Sequence, residues 1–142
     1  MKFKINGETR EISDEVIKAI ENADIGDYRS PQEWGVEGLT WHDEDTPLYF
    51  TIFDNRIFVW TQFIDWDEPE TAEKYAKWLI EELKKKGIDK EVDDLDSEEI
   101  QAGQVTVDLW FKTGKKFEEL TPKDLEKPLK IANQLRKIME GL

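Results

Sequence analysis

Few residues in this chain could do chemistry, and most of them stand alone. His42 is the only histidine, and it opens the run His42, Asp43, Glu44, Asp45. A single imidazole cannot build a two-histidine metal site or the usual acid–base relay. The chemistry open to this run is one hard-cation site, because carboxylate oxygens suit Ca²⁺ or Mg²⁺. Three adjacent acids in a loop repel one another and are more often simply solvated, which is the reading adopted. Asp94, Asp96 and Glu98 alternate like the start of a Ca²⁺ loop. The glycine of the EF-hand turn and its distal Glu are missing, so these acids also read as solvated.

Nucleophiles fare no better. Ser13, Ser30 and Ser97 are the three serines, none in a nucleophile-elbow context, and neither a Walker A loop nor a glycine-rich dinucleotide loop occurs. With no cysteine, thiol nucleophiles, thiolate zinc sites and disulfide frameworks are excluded. The 33 acidic residues supply so many carboxylate pairs that a glycosidase pair cannot be singled out. The sequence therefore assigns no catalytic residue, no metal site and no cofactor, and an enzyme is the minority reading.

Aromatic residues are the more informative group. Six Trp, seven Phe and three Tyr are spread along 142 residues, and two β-rich runs, Leu48–Phe53 and Arg56–Ile64, flank Asp54-Asn55, a pair suited to a tight turn. A two-residue turn pairs Phe53 with Arg56, Ile52 with Ile57, Phe50 with Val59 and Leu48 with Thr61. That register puts Leu48, Phe50, Ile52, Ile57, Val59 and Phe63 on a core face. The opposite face then carries Tyr49, Thr51, Phe53, Phe58, Trp60, Gln62 and Ile64, an unusually aromatic set for a surface facing water. In Gln104–Lys112, Val105, Val107, Leu109 and Phe111 alternate with Thr106, Asp108 and Trp110, so Trp110 can join that face. Tyr49, Phe53, Phe58, Trp60 and Trp110 are the candidate partner-binding surface, since Trp and Tyr are enriched in interface hot spots. Trp34, Trp41, His42 and Trp66 flank it and are the candidate lining of a pocket beneath residues 34–42. The plainer outcome is that the 24–46 segment folds over the rings as a satellite core.

The remaining elements follow from local signals. Lys2–Ile5 and Glu8–Glu11 form a hairpin about Asn6-Gly7, with Lys2 facing Glu11. A helix follows over 14–22, capped by Ser13, with Val16, Ile17 and Ile20 as its buried stripe. Residues 24–46 lack a period, apart from a short strand at 39–41. A helix over 68–86 has Asp67 and Glu70 in capping-box spacing and Gly87 at its stop, with Glu73–Lys77, Glu81–Lys85 and Glu82–Lys86 as i,i+4 pairs. The acidic residues 88–102 read as an exposed loop after a short strand at 88–92. Thr121, Pro122 and Asp124 start a last helix, and Pro128 predicts a kink or a break between 122–127 and 128–140. The sum is one α+β domain over 1–142, an antiparallel sheet packed with three helices in the order ββ-α-β(β)β-α-(β)β-α.

Taken as an element order, a helix, strands, a helix, strands and a final helix resembles the α-β-β-β-α-β-β-α arrangement of the class I type III secretion chaperones and the YbjN-like proteins. Element order, small size and acidity carry the resemblance, and the N-terminal hairpin is an addition. It implies a dimeric, non-enzymatic protein that holds a partner chain.

Charge narrows the partners. The net charge is −13 with a pI near 4.5, so a nucleic-acid backbone would be repelled. Residues 1–111 hold 12 Lys and Arg against 28 Asp and Glu, a balance of −16, while 112–142 hold 8 against 5, a balance of +3. A basic protein partner, or self-association, is the expected mode, with a small ligand as the alternative. A further alternative is mimicry of nucleic acid by the 89–99 acids. The start of the chain has no apolar signal-peptide core, and no stretch approaches 18 apolar residues, so membrane insertion is not expected and the cytoplasm is the expected location. The charged fraction of 37%, together with the lack of cysteine, is a composition shared with thermophile proteins.

Overall fold

The computed structural model describes residues 1–23, 32–33, 38–43 and 45–141. Asn6 (φ 53°) and Gly7 (φ 79°) turn the chain between β1 (Lys2–Ile5) and β2 (Glu8–Glu11), and Lys2 faces Glu11 as the dipeptide requires. Helix α1 (Asp14–Asn22) starts where the Ser13 hydroxyl accepts from the Val16 N–H at 3.2 Å, and it buries Val16, Ile17 and Ile20.

A six-stranded antiparallel sheet forms the centre, in the order β3 (Gln32–Glu33), β4 (Gly38–His42), β5 (Leu48–Phe53), β6 (Arg56–Ile64), β8 (Gln104–Lys112), β7 (Asp94–Gln101). The β5–β6 register is the one that Asp54-Asn55 dictates, Phe53 opposite Arg56 through Leu48 opposite Thr61. Of the turn pair, Asn55 adopts the positive φ, 70°. The expected inner residues of this hairpin are buried, and Val105, Val107, Leu109 and Phe111 extend the same face on β8.

Helices α2 (Pro69–Lys85) and α3 (Pro122–Glu140) lie on that face, with α1 against α3, and Leu79, Leu83, Leu125, Ile131 and Leu135 are excluded from water. Each such side chain contributes about 1.5–3 kcal/mol relative to exposure. The N-terminal hairpin closes one end, where the Phe3 ring meets Phe117 edge-on at 5.2 Å. Among the described residues no helix is long and apolar enough to cross a membrane.

Four expectations need correction. Residues 88–102 are not a loop after a strand. A 3-10 turn at Ile88–Lys90 leads into β7, an edge strand held by backbone pairing to β8 rather than by burial. Residue 68, not Asp67, is the N-cap of α2; its N–H donates to the Asp65 carboxylate at 2.9 Å. On α2 the ion pair formed is Lys85–Glu82, spaced i,i+3. Finally, α3 is one helix through Pro128, which is buried, and its start carries the Thr121–Asp124 capping box.

Candidate functional site

The sheet face opposite the helices is organised by strand alternation. Strand β5 sends Tyr49, Thr51 and Phe53 to it, β6 sends Phe58, Trp60 and Gln62, and β8 sends Thr106, Asp108 and Trp110. Strand β4 adds Gly38, Thr40 and His42, opposite Phe53, Thr51 and Tyr49. Four of the five ring residues proposed from the sequence, with His42 in front, stack across four strands. His42 lies on Tyr49 at 4.3 Å (3° between planes), Tyr49 on Trp60 at 4.1 Å, Trp60 on Phe58 at 5.4 Å, and Phe58 on Trp110 at 4.0 Å (6°). Phe53, the fifth, flanks the row 5.9 Å from Trp110. At the far end the Arg56 guanidinium sits over the Trp110 ring, 4.6 Å from its centroid.

Hydrogen bonds fix the ring orientations. The Trp60 indole N–H donates to the Thr51 hydroxyl at 3.1 Å, and Thr51 pairs with Thr40 at 3.0 Å. A second chain runs from the Gln101 amide to Gln104, on to Gln62 and then to the Tyr49 hydroxyl, at 2.9, 2.8 and 2.8 Å. Gly38 is required where it stands: a Cβ there would come 2.9 Å from the Ile52 carbonyl oxygen and 3.0 Å from the Phe53 ring. An open groove of about 340 Å³ lies over this face, lined by Thr40, Thr51, Phe58, Trp60, Ile100 and Gln104 among others. No protein-family model, curated protein or solved structure significantly matches the chain.

The candidate pocket residues do not assemble as proposed. Trp41 faces the other way, pairs with Phe50, packs edge-on to its ring at 6.4 Å and is 1% exposed in the core. One residue of strand parity separates it from His42, which does reach the ring row. Trp66 follows β6 and is 56% exposed, and Trp34 lies outside the described residues. Asp43 accepts from the Asp45 N–H at 3.0 Å and from the Thr46 hydroxyl at 2.5 Å, so its carboxylate closes a turn. No group of three or more potential metal ligands occurs among the described residues.

Sequence reasoning missed Asp108 as a site residue. It lies on the ring-bearing face between Trp60 on β6 and Asp96 on β7 and is 7% exposed. Its Oδ2 accepts from the Thr106 hydroxyl at 3.3 Å, while its Oδ1 has no hydrogen-bond partner among the described residues. Burial above all, with Glu98 and Asp96 adding to it, pushes the carboxyl up to about 6 against the one lowering bond from Thr106. The alternation that places Trp110 on this face also places Asp108 there. Its burial needed the position of β7.

Proposed function

We propose that this protein is a non-enzymatic binding module that holds a basic, extended or partly unfolded polypeptide on its ring-bearing sheet face. The observation that carries the reading is the aligned row from His42 to Trp110, bordered by the carboxylates of Asp94, Asp96, Glu98 and Asp108 on β7 and β8. Aromatic rings give a sequence-tolerant apolar contact, and it falls on the half-buried Phe58, Trp60 and Trp110, since Tyr49, Thr40 and Thr51 are buried. Charge complementarity selects the occupant: a second copy of this chain brings another −13, whereas a basic segment is attracted. With β1, β2 and the two-residue β3 set aside, the element order resembles that of the class I secretion chaperones, and the resemblance supports the reading by analogy alone.

The test uses reduced, unfolded lysozyme as a basic client in a light-scattering assay at low and high salt. The wild-type chain is expected to delay client aggregation at low salt, and the double variant Phe58→Ser, Trp110→Ser is expected to lose that protection while remaining folded by circular dichroism. A chain that neither delays aggregation nor changes its tryptophan emission with client would reject the proposal. A small-ligand site is the second reading, favoured by the groove over Thr40, Thr51 and Trp60. A ligand-induced thermal shift abolished by Thr51→Val would support it.

A further inference from the structure

Away from the ring-bearing face, helices α2 and α3 leave an open groove of about 440 Å³ between their carboxyl ends. Trp78, Glu82 and Lys86 follow one another at four-residue spacing and so share one stripe of α2, while Gln134, Lys137, Ile138 and Gly141 share one stripe of α3. Ile88, from the 3-10 turn, completes the lining. The apolar part of the wall is continuous with the core: Ile88 is buried, and Trp78 and Ile138 are half-buried and packed against it. A space of this size is within the range of small-molecule sites, which often form between helices.

Charge selects what enters it. Glu82 is paired with Lys85 at 3.3 Å, but among the described residues Lys86 and Lys137 make no ion pair or hydrogen bond, and both are exposed. The two helix ends bring about half a negative charge each, which falls short of two ammonium groups and leaves a surplus of roughly one positive charge. Asp89 and Lys90, next along the chain, offset each other. In a molecule whose net charge is −13, this groove therefore attracts an anion that the rest of the surface repels. The amide nitrogen of Gln134, also without a hydrogen bond among the described residues, is a further donor. Trp78 and Lys86 stand eight residues apart, about 12 Å along the helix axis, the length of an extended alkyl chain of about ten carbons.

We propose that the groove between α2 and α3 binds a medium-chain alkyl carboxylate, its chain against Trp78, Ile88 and Ile138 and its carboxylate held by Lys86 and Lys137. Burial of the chain supplies the affinity, and charge-assisted hydrogen bonds from the lysines fix its direction. The site lies on the helical side of the sheet and is independent of the client face, so either can fail without the other.

The test is calorimetric titration of the full chain with decanoate below its micelle concentration, followed in parallel by tryptophan emission. Decanoate is expected to bind at a single site and about tenfold or more tighter than decyltrimethylammonium, the ion that the net charge alone would favour. The double variant Lys86→Met, Lys137→Met should weaken decanoate by about tenfold or more, while Lys123→Met, exposed in the first turn of α3, leaves it unchanged. Trp78→Phe should remove most of the emission change, and thermal scans establish that the variants fold. Decyltrimethylammonium binding as tightly as decanoate, a double variant that binds as well as wild type or loses no more than Lys123→Met, or an emission change that survives Trp78→Phe would each overturn the site. Vesicles of anionic phosphatidylglycerol that retain the chain while decanoate fails to bind would also overturn it, by making the lysines a membrane contact.

Discussion

Arg10 grips Asp54 across 44 positions of sequence, its two terminal nitrogens donating to the two carboxylate oxygens at 3.0 and 2.9 Å. The same guanidinium reaches Glu118 at 2.7 and 3.0 Å, and Asp54 also accepts from the Phe117 N–H at 3.1 Å. The turn of the central hairpin, the N-terminal hairpin and the 3-10 turn at Phe117–Glu119 thus meet on one charged node.

Removing the acceptor from that node leaves a largely buried guanidinium with one partner fewer and a backbone N–H with none. Asp54→Ala is expected to lose about 2–3 kcal/mol in urea unfolding, more than Glu118→Ala, because charge-assisted bonds in partly buried positions are the strong ones. A double-mutant cycle with Arg10→Met should give a coupling of about 1–3 kcal/mol, and a coupling near zero would mean that the pair is only a surface contact.

Glu118 makes the node sensitive to acid. Its hydrogen bonds from Arg10, foremost among the causes, lower its pKa from 4.5 to about 2. A depressed carboxylate contributes stability above its unfolded pKa and loses it as pH falls through the folded value. The melting temperature should therefore drop between about pH 4.5 and 2, with a smaller drop in Glu118→Gln. Salt should shrink the difference, since Glu118 is 44% exposed on its side chain.

Asp108 has the opposite sign. With its pKa raised from 3.8 to about 6, the folded chain holds a proton that the unfolded chain has already released, so stability declines as pH rises through that window. Asp108→Asn should flatten the decline and stabilise the chain at pH 7 by on the order of 1–3 kcal/mol. Thermal unfolding of both proteins at pH 4 and pH 7 measures it, and an asparagine variant less stable than wild type at pH 7 would refute it.

Trp41 separates volume from polarity in the core. Its indole N–H has no acceptor among the described residues although the ring is 1% exposed. Trp41→Ala should lose about 3–5 kcal/mol as a cavity opens, whereas Trp41→Phe removes the unpaired N–H and should stay within about 1.5 kcal/mol of wild type. Denaturant midpoints of the two variants check this.

The legible parts of the molecule are those where side-chain type and backbone geometry point the same way. Asp54-Asn55 between two alternating runs fixed the register of β5 and β6, and with it the faces of Phe58 and Trp60. Strand β7 was not legible, because Asp94, Asp96, Glu98 and Glu99 carry no apolar alternation and the strand exists through its pairing to β8. The sequence alone groups Trp41 with His42, because neighbouring residues look alike until strand parity is known. Pro128 predicts a break, yet its ring is buried within α3, and packing outweighs the single backbone bond it removes.

The outer backbone edge of β7 pairs with no other described strand, and four carboxylates stand along its eight residues. An open strand edge is where copies of a protein can zip into fibrils, and here each copy repels the next. The same acids therefore oppose edge-to-edge pairing of folded molecules, and screening by salt would weaken that protection.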